Sequence, residues 1–328
     1  MNNMHQILTV AIKEYTDALR NKVFLTFVFF LLGLTFISIY IGSLDFQNKL
    51  FTYQNAYQLL IQQGQSAENL VKPEFFPLQL LRGSIEYMEI IGAVLAIALG
   101  YLSIAKEKGN NTLQLVLSRP IKKSYFFLGK LFGNALLILS VTALVFTSIV
   151  VIVIYIGSAH LTNDEILKVV VVFLYTAIYL YIFYLLSTLL ALIIRSLPNA
   201  LIVSFVVWIL FVLIVPQIGD TMDTDNQVPG GFFNAIHVSN VQSKIILQQF
   251  SGYETARNAI EEASVTKHYE RLTFALLGIK DIYNGKSINY IINDKSNESI
   301  WLVSYLLALT FTTLYTFTHQ LLIWKEEG

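Results

Sequence analysis

The sequence contains no cysteine, which excludes disulfide frameworks, thiol catalysis and cysteine-ligated metals. Charge is scarce too. Only 13% of the 328 residues are Asp, Glu, Lys or Arg, about half of what a soluble domain carries, while 55% are apolar and mean hydropathy is +0.59. So thin a charged shell does not cover a globule this apolar. The same numbers exclude a disordered chain, and 22 bases against 22 acids leave no basic footprint for nucleic acid. No internal repeat or low-complexity tract interrupts the chain.

Long uncharged runs are what the sequence has in abundance. Six stretches lack Asp, Glu, Lys and Arg: 23–44, 90–105, 131–163, 169–194, 196–219 and 299–324. They predict an all-α polytopic membrane protein with six transmembrane helices and both termini on one side. The second run has 16 residues, about 24 Å of helix against a core of ~30 Å, so its span borrows Glu86, Tyr87 and Glu89 at the interface. The first run is too long for a secretory h-region and is followed by Asp45-Phe46-Gln47 instead of small residues at a cleavage site, so it stays as a span.

Charge fixes the expected orientation. One side holds Lys13, Arg20, Lys22, Lys106, Lys108, Arg119, Lys122, Lys123, Lys130, Arg195 and Lys325 against Glu14, Asp17, Glu107, Glu326 and Glu327, a net of +6. The other side keeps the remaining 11 bases and 17 acids, a net of −6. Positive-inside asymmetry places both termini and the loop 106–130 in the cytoplasm.

Outside the spans, Leu8, Ala11, Ile12, Tyr15 and Leu19 recur at helical spacing, with Lys13, Glu14, Thr16, Asp17 and Arg20 on the opposite face. This pattern predicts an amphipathic helix over 1–22 lying on the inner membrane surface. In the loop 106–130, Gly109-Asn110-Asn111 signals a turn, Thr112 caps a short helix through Leu113 to Leu117, and Pro120 ends it. A polar external loop is expected at 43–89. A larger extracytoplasmic insertion, 220–298, opens on Asp220, Asp223, Asp225, Pro229, Gly230 and Gly231. It then reads as helix from about Ser239 to Leu277, with Ile245, Ile246, Phe250, Tyr253, Ile260, Tyr269, Leu272 and Leu276 as its apolar positions, and closes through Asn284-Gly285. That is enough to pack as a small lid.

Chemical motifs are few. Asn284-Gly285-Lys286-Ser287 has the tail of a P-loop without its first glycine or its strand-to-helix context. Glu254, Glu261, Glu262, His268 and Glu270 lie close in sequence but lack metal-ligand spacing, and Glu254/Arg257/Glu261 with Lys267/Arg271 read as a solvated helix face. Glu86 and Glu89, three apart at the outer start of the second span, form a candidate outer mouth. The runs themselves carry no ionisable relay, which argues against an ion-coupled transporter and for a machine driven from elsewhere. No catalytic residue, metal or cofactor is expected.

The amphipathic start over 7–24, followed by EKGNNTLQLVLSRPIKKSYFFLGK leading into a span, resembles the permease subunits of ABC exporters of the ABC-2 type. The similarity is greatest to the branch described as multicopper-enzyme-maturation permeases. That family's loose pattern of an acid, Gly-Thr, Leu-Leu, Ser-x-Pro and Gly-Lys is occupied by Glu107, Gly109, Thr112, Leu113, Leu117, Ser118, Pro120, Gly129 and Lys130, with Arg119 inside it. Asn110-Asn111 lengthen its Gly-Thr step. The resemblance implies two separate ATPase subunits beneath the membrane and a second permease chain, identical or a paralogue, beside this one in a prokaryotic plasma membrane. It makes the segment from Glu107 to Ser118 a coupling helix, braced by Lys13, Glu14, Asp17 and Arg20, and has the second and fifth spans line the route. The insertion 220–298 exceeds the family's short re-entry, so no substrate is implied. Competing readings are a signalling or assembly subunit with an external sensor, and a membrane-embedded enzyme.

Overall fold

The computed structural model describes residues 3–63, 76–109, 122–155, 161–223, 232–279 and 281–326. Among them all regular structure is helical, and six helices are long and apolar enough to cross a membrane. The protein is an all-α, six-span membrane protein. An N-terminal helix, Asn3–Leu19, precedes span 1, Lys22–Gln62. Span 2 is the composite helix Pro77–Lys108, span 3 is Lys123–Tyr155 and span 4 is Asn163–Ile193. Span 5 runs from Leu197 to Met222, and span 6 occupies Ser296–Thr318 of the helix Ser296–Glu326.

Local chemistry sets most of these boundaries. Asn21 caps span 1 by accepting from the Val23 amide at 3.0 Å, and a reciprocal Thr162/Glu165 capping box opens span 4. Pro77 and Pro198 sit in first turns, where their missing N–H costs nothing. Pro216 sits in the first turn of the last segment of span 5, Val215–Met222, directly after the π-helical segment Ile209–Ile214, and the helix continues past it.

Spans 2 and 4 form the core. Each buries 56% of its most apolar window, against 17% for spans 5 and 6, whose flanks are therefore left for lipid or another chain. Gly92, Ala96 and Gly100, four residues apart, let span 2 approach span 4 closely: a Cβ at Gly100 would lie 2.3 Å from the Tyr184 carbonyl oxygen. Span 6 packs on span 4 as well, and span 3 on spans 1 and 4.

Two expectations require correction here. The described first part of the segment 43–89 is a helical extension, not a loop: the helix of span 1 runs for 41 residues to Gln62, about 62 Å, roughly twice the hydrocarbon thickness. The single helix expected from Ser239 to Leu277 is three, Asn240–Gln249, Ser251–Glu262 and Val265–Leu276. The last two form a hairpin turning at Ala263-Ser264. Its second helix is almost wholly buried against spans 4, 5 and 6. Tyr269, Leu272 and Leu276 are buried as expected, with Phe274 beside them, but Ile245, Phe250 and Tyr253 stand on the surface, because it is the second hairpin helix that packs among the spans. The insertion is a plug inserted among the spans.

Candidate functional site

At the end of the molecule that carries the N-terminal helix, three elements converge on one ammonium. Lys130, in the second turn of span 3, is 1% exposed. Its Nζ donates to Glu14 at 2.7 Å and to the Ser103 carbonyl at 2.9 Å, and lies 3.2 Å from Glu107. Glu14 belongs to the N-terminal helix and Glu107 to the last turn of span 2. Lys13 adds a longer contact to Glu107, 3.9 Å. A buried ion pair survives only when desolvation is offset by good geometry and further hydrogen bonds, and this ammonium has an acceptor in each of three directions.

The seat for the N-terminal helix is made of glycine. Gly129 and Gly133 flank Lys130 on span 3 at four-residue spacing, and Val10 and Ala11 descend onto them. A Cβ at Gly133 would lie 2.6 Å from the Ala11 carbonyl oxygen, and one at Gly129 2.8 Å from that of Ile7. The helix is therefore bolted to the bundle, with Val10, Ala11, Glu14 and Ala18 inward and Met4, Leu8 and Ile12 outward. Glu14, expected on the solvated face, is buried because Lys130 needs it; Asp17 is half-buried and Arg20 exposed. The residue after Glu107, Lys108, donates to the carbonyls of Ala191, Leu192 and Ile194, tying span 2 to the negative end of span 4.

Of the residues the sequence singled out, Glu107, Lys130, Glu14 and Lys13 thus meet. Gly109 ends the helix of span 2. Thr112, Leu113, Leu117, Ser118, Arg119 and Pro120 lie outside the described residues.

The opposite end carries a second polar cluster. Glu86 and Glu89 do not share one mouth: Glu86 pairs with Arg82 at 2.9 Å on the surface, whereas Glu89 is buried. The buried face of this helix runs through Leu81, Ser84, Ile85, Met88, Glu89 and Gly92, and Glu86 stands off it. The charges on the hairpin are not a solvated face either. Glu261, Lys267 and His268 are buried. Lys267 pairs with Asp220 at 2.8 Å and Glu270 at 2.9 Å. Burial works to lower this ammonium, but Glu270 and Asp220 prevail and hold it above its ordinary value. Glu261 meets Arg271, and Arg257 reaches Asp223 at 3.4 Å. His268 Nδ1 lies 2.5 Å from Glu298, with Nε2 2.9 Å from the Glu262 carbonyl, an acceptor that requires Nε2 to carry a proton. Together these ties fasten the hairpin to spans 5 and 6.

Sequence reasoning named Tyr269 only as an apolar helix position and missed the other polar residues beneath that network. Tyr179, Thr176, Thr266 and Tyr269 are fully buried, the two tyrosine rings stack at 4.3 Å, and Tyr269 shares a 2.9 Å hydrogen bond with Thr176. Burial pushes the Tyr269 hydroxyl up. A tyrosine in an apolar run reads as core or interfacial belt, so no signal in one sequence separates these from their neighbours.

A six-span helical bundle with a bolted N-terminal helix, a basic loop after span 2 and a plug between spans 5 and 6 defines a membrane transport component. The model of the ABC-2 family transporter proteins matches residues 8–322, and the chain belongs to that family. It is a multi-pass membrane protein, the permease component of an ABC transporter, whose ATPase partners are separate subunits. A search of curated proteins finds no match.

Proposed function

We propose that this permease is an exporter subunit, one of two permease chains, and that its ATPase partners dock on the face carrying the N-terminal helix. That face is the positive side of the charge asymmetry and is read as cytoplasmic. The loop 106–130 supplies the coupling helix, with Thr112, Leu113, Leu117, Ser118, Arg119 and Pro120 toward the ATPase. The observation that carries the reading is the ammonium of Lys130, which joins the start of that loop, through Glu107, to the N-terminal helix, through Glu14. A push on the loop is thereby delivered to span 2, span 3 and the N-terminal helix as one body. Asp17 and Arg20 extend the same face.

The test is co-expression with the ATPase encoded by a neighbouring reading frame. Glu107→Gln, and separately a proline at Leu115, are expected to leave the permease in the membrane while abolishing co-purification of the ATPase or stimulation of its hydrolysis; a proline inside a helix costs about 3 kcal/mol. Full coupling in both variants reduces 106–130 to an ordinary basic loop.

A further inference from the structure

A π-helical turn widens the backbone ladder by one residue and leaves a carbonyl without its helical amide. Two spans carry such turns, span 2 at Met88–Gly92 and span 5 at Ile209–Ile214. In span 5 the wide register is explicit, since the Val215 amide donates to Leu210, five residues back. The next amide in that register would serve Phe211, but residue 216 is proline and has none. An unmatched carbonyl inside a span is costly.

The missing donor comes from the hairpin. Ser264, at its turn and fully buried, donates its hydroxyl to the Phe211 carbonyl at 2.6 Å. The same oxygen accepts the Lys267 amide at 3.4 Å and so caps the second hairpin helix. Two residues on, Thr266 meets the Tyr179 hydroxyl at 3.3 Å, and that hydroxyl donates to the Glu89 carbonyl inside the π turn of span 2 at 3.0 Å. One hairpin tip therefore reaches the irregular turn of both spans.

We infer that Ser264 is a positioning residue for transport: it replaces the amide that Pro216 lacks and holds the π turn of span 5, while Thr266 and Tyr179 hold that of span 2 from the same tip. Movement of the hairpin then changes both turns together. The inference rests on the permease reading only in assigning these turns to transport; its geometry is tested without nucleotide or partner.

The chain has no native cysteine, so spin labels can be placed on Asn199 and Ile218, both exposed and on either side of the turn in span 5. Nineteen residues separate them, about 29 Å of helix, within range of pulsed dipolar spectroscopy on the full chain in lipid nanodiscs. Ser264→Ala is expected to replace a single narrow distance by a broad distribution. Ser264→Thr, which keeps the hydroxyl, is expected to retain the narrow one. Pro216→Ala restores an amide facing Phe211, so in that background Ser264→Ala is expected to have no effect on the distance. Loss of the cap alone would not be rescued by Pro216→Ala. A narrow, unchanged distance in Ser264→Ala, or broadening undiminished by Pro216→Ala, overturns the proposal.

Discussion

Lys130 shows how one residue fixes the chemistry of its surroundings. A single ammonium faces two carboxylates, all three nearly inaccessible to water. Removing it takes from both buried carboxylates their shortest ion pair at once, a more severe defect than removing either acid. Lys130→Met is therefore expected to destabilise by about 3–5 kcal/mol, the cost of breaking a buried pair, read as a lower unfolding midpoint in detergent. Adding Glu14→Gln and Glu107→Gln to Lys130→Met is expected to recover part of that loss, because the buried like charges go with them. An unchanged midpoint in Lys130→Met means that the ammonium contributes nothing net. Part of this was legible beforehand: Glu107 and Lys130 stood out by motif, and Glu14 was named with the bracing helix but placed on its solvated face. Helical spacing puts Glu14 three residues from Ala11, on an edge of the apolar stripe that periodicity assigns to either face. Only the partner across the bundle decides.

At the scale of elements, the spans were legible because an uncharged run of bilayer length has few alternatives. The irregular turns were not. A π turn differs from an α turn by one residue in the ladder, and nothing in Met88–Gly92 or Ile209–Ile214 changes hydrophobic period enough to reveal it. The hairpin was hidden for a related reason, since Ser239 to Leu277 carries apolar residues at helical spacing throughout and breaks at Ala263-Ser264 with neither glycine nor proline. The glycine seat of the N-terminal helix, by contrast, makes a clear prediction. A Cβ at Gly133 meets backbone, the Ala11 carbonyl at 2.6 Å and its Cα at 2.9 Å, and backbone of a packed helix does not yield. Gly133→Val is expected to lift that helix from span 3 and expose the Glu14–Lys130 pair while leaving the six spans inserted. Limited proteolysis after Lys13 or Arg20 measures this; an unaltered cleavage rate would show that the helix is held by the ion pair alone.

For the whole molecule, a formal net charge of zero conceals an asymmetry of +6 against −6 between the two ends. The structure gives each half a place. The positive end gathers the N-terminal helix and the bases bordering spans 2, 3 and 5, while the negative end carries Asp220, Asp223 and the acids of the hairpin. Those acids are mostly committed to Lys267, Arg257 and Arg271, so the excess there is part of the plug's attachment as well as a topology signal. Positive-inside asymmetry predicts that the positive end faces the cytoplasm. With no native thiol to interfere, single cysteines read it directly. A cysteine at Arg20, exposed on the N-terminal helix, is expected to be shielded from an impermeant maleimide in intact cells and labelled after lysis. One at Gly252, where a side chain meets nothing within 4 Å, is expected to be labelled without lysis. The reverse pattern would place the loop 106–130 outside, beyond the reach of any cytoplasmic ATPase, and with it would go the coupling role given to Glu107 and Lys130.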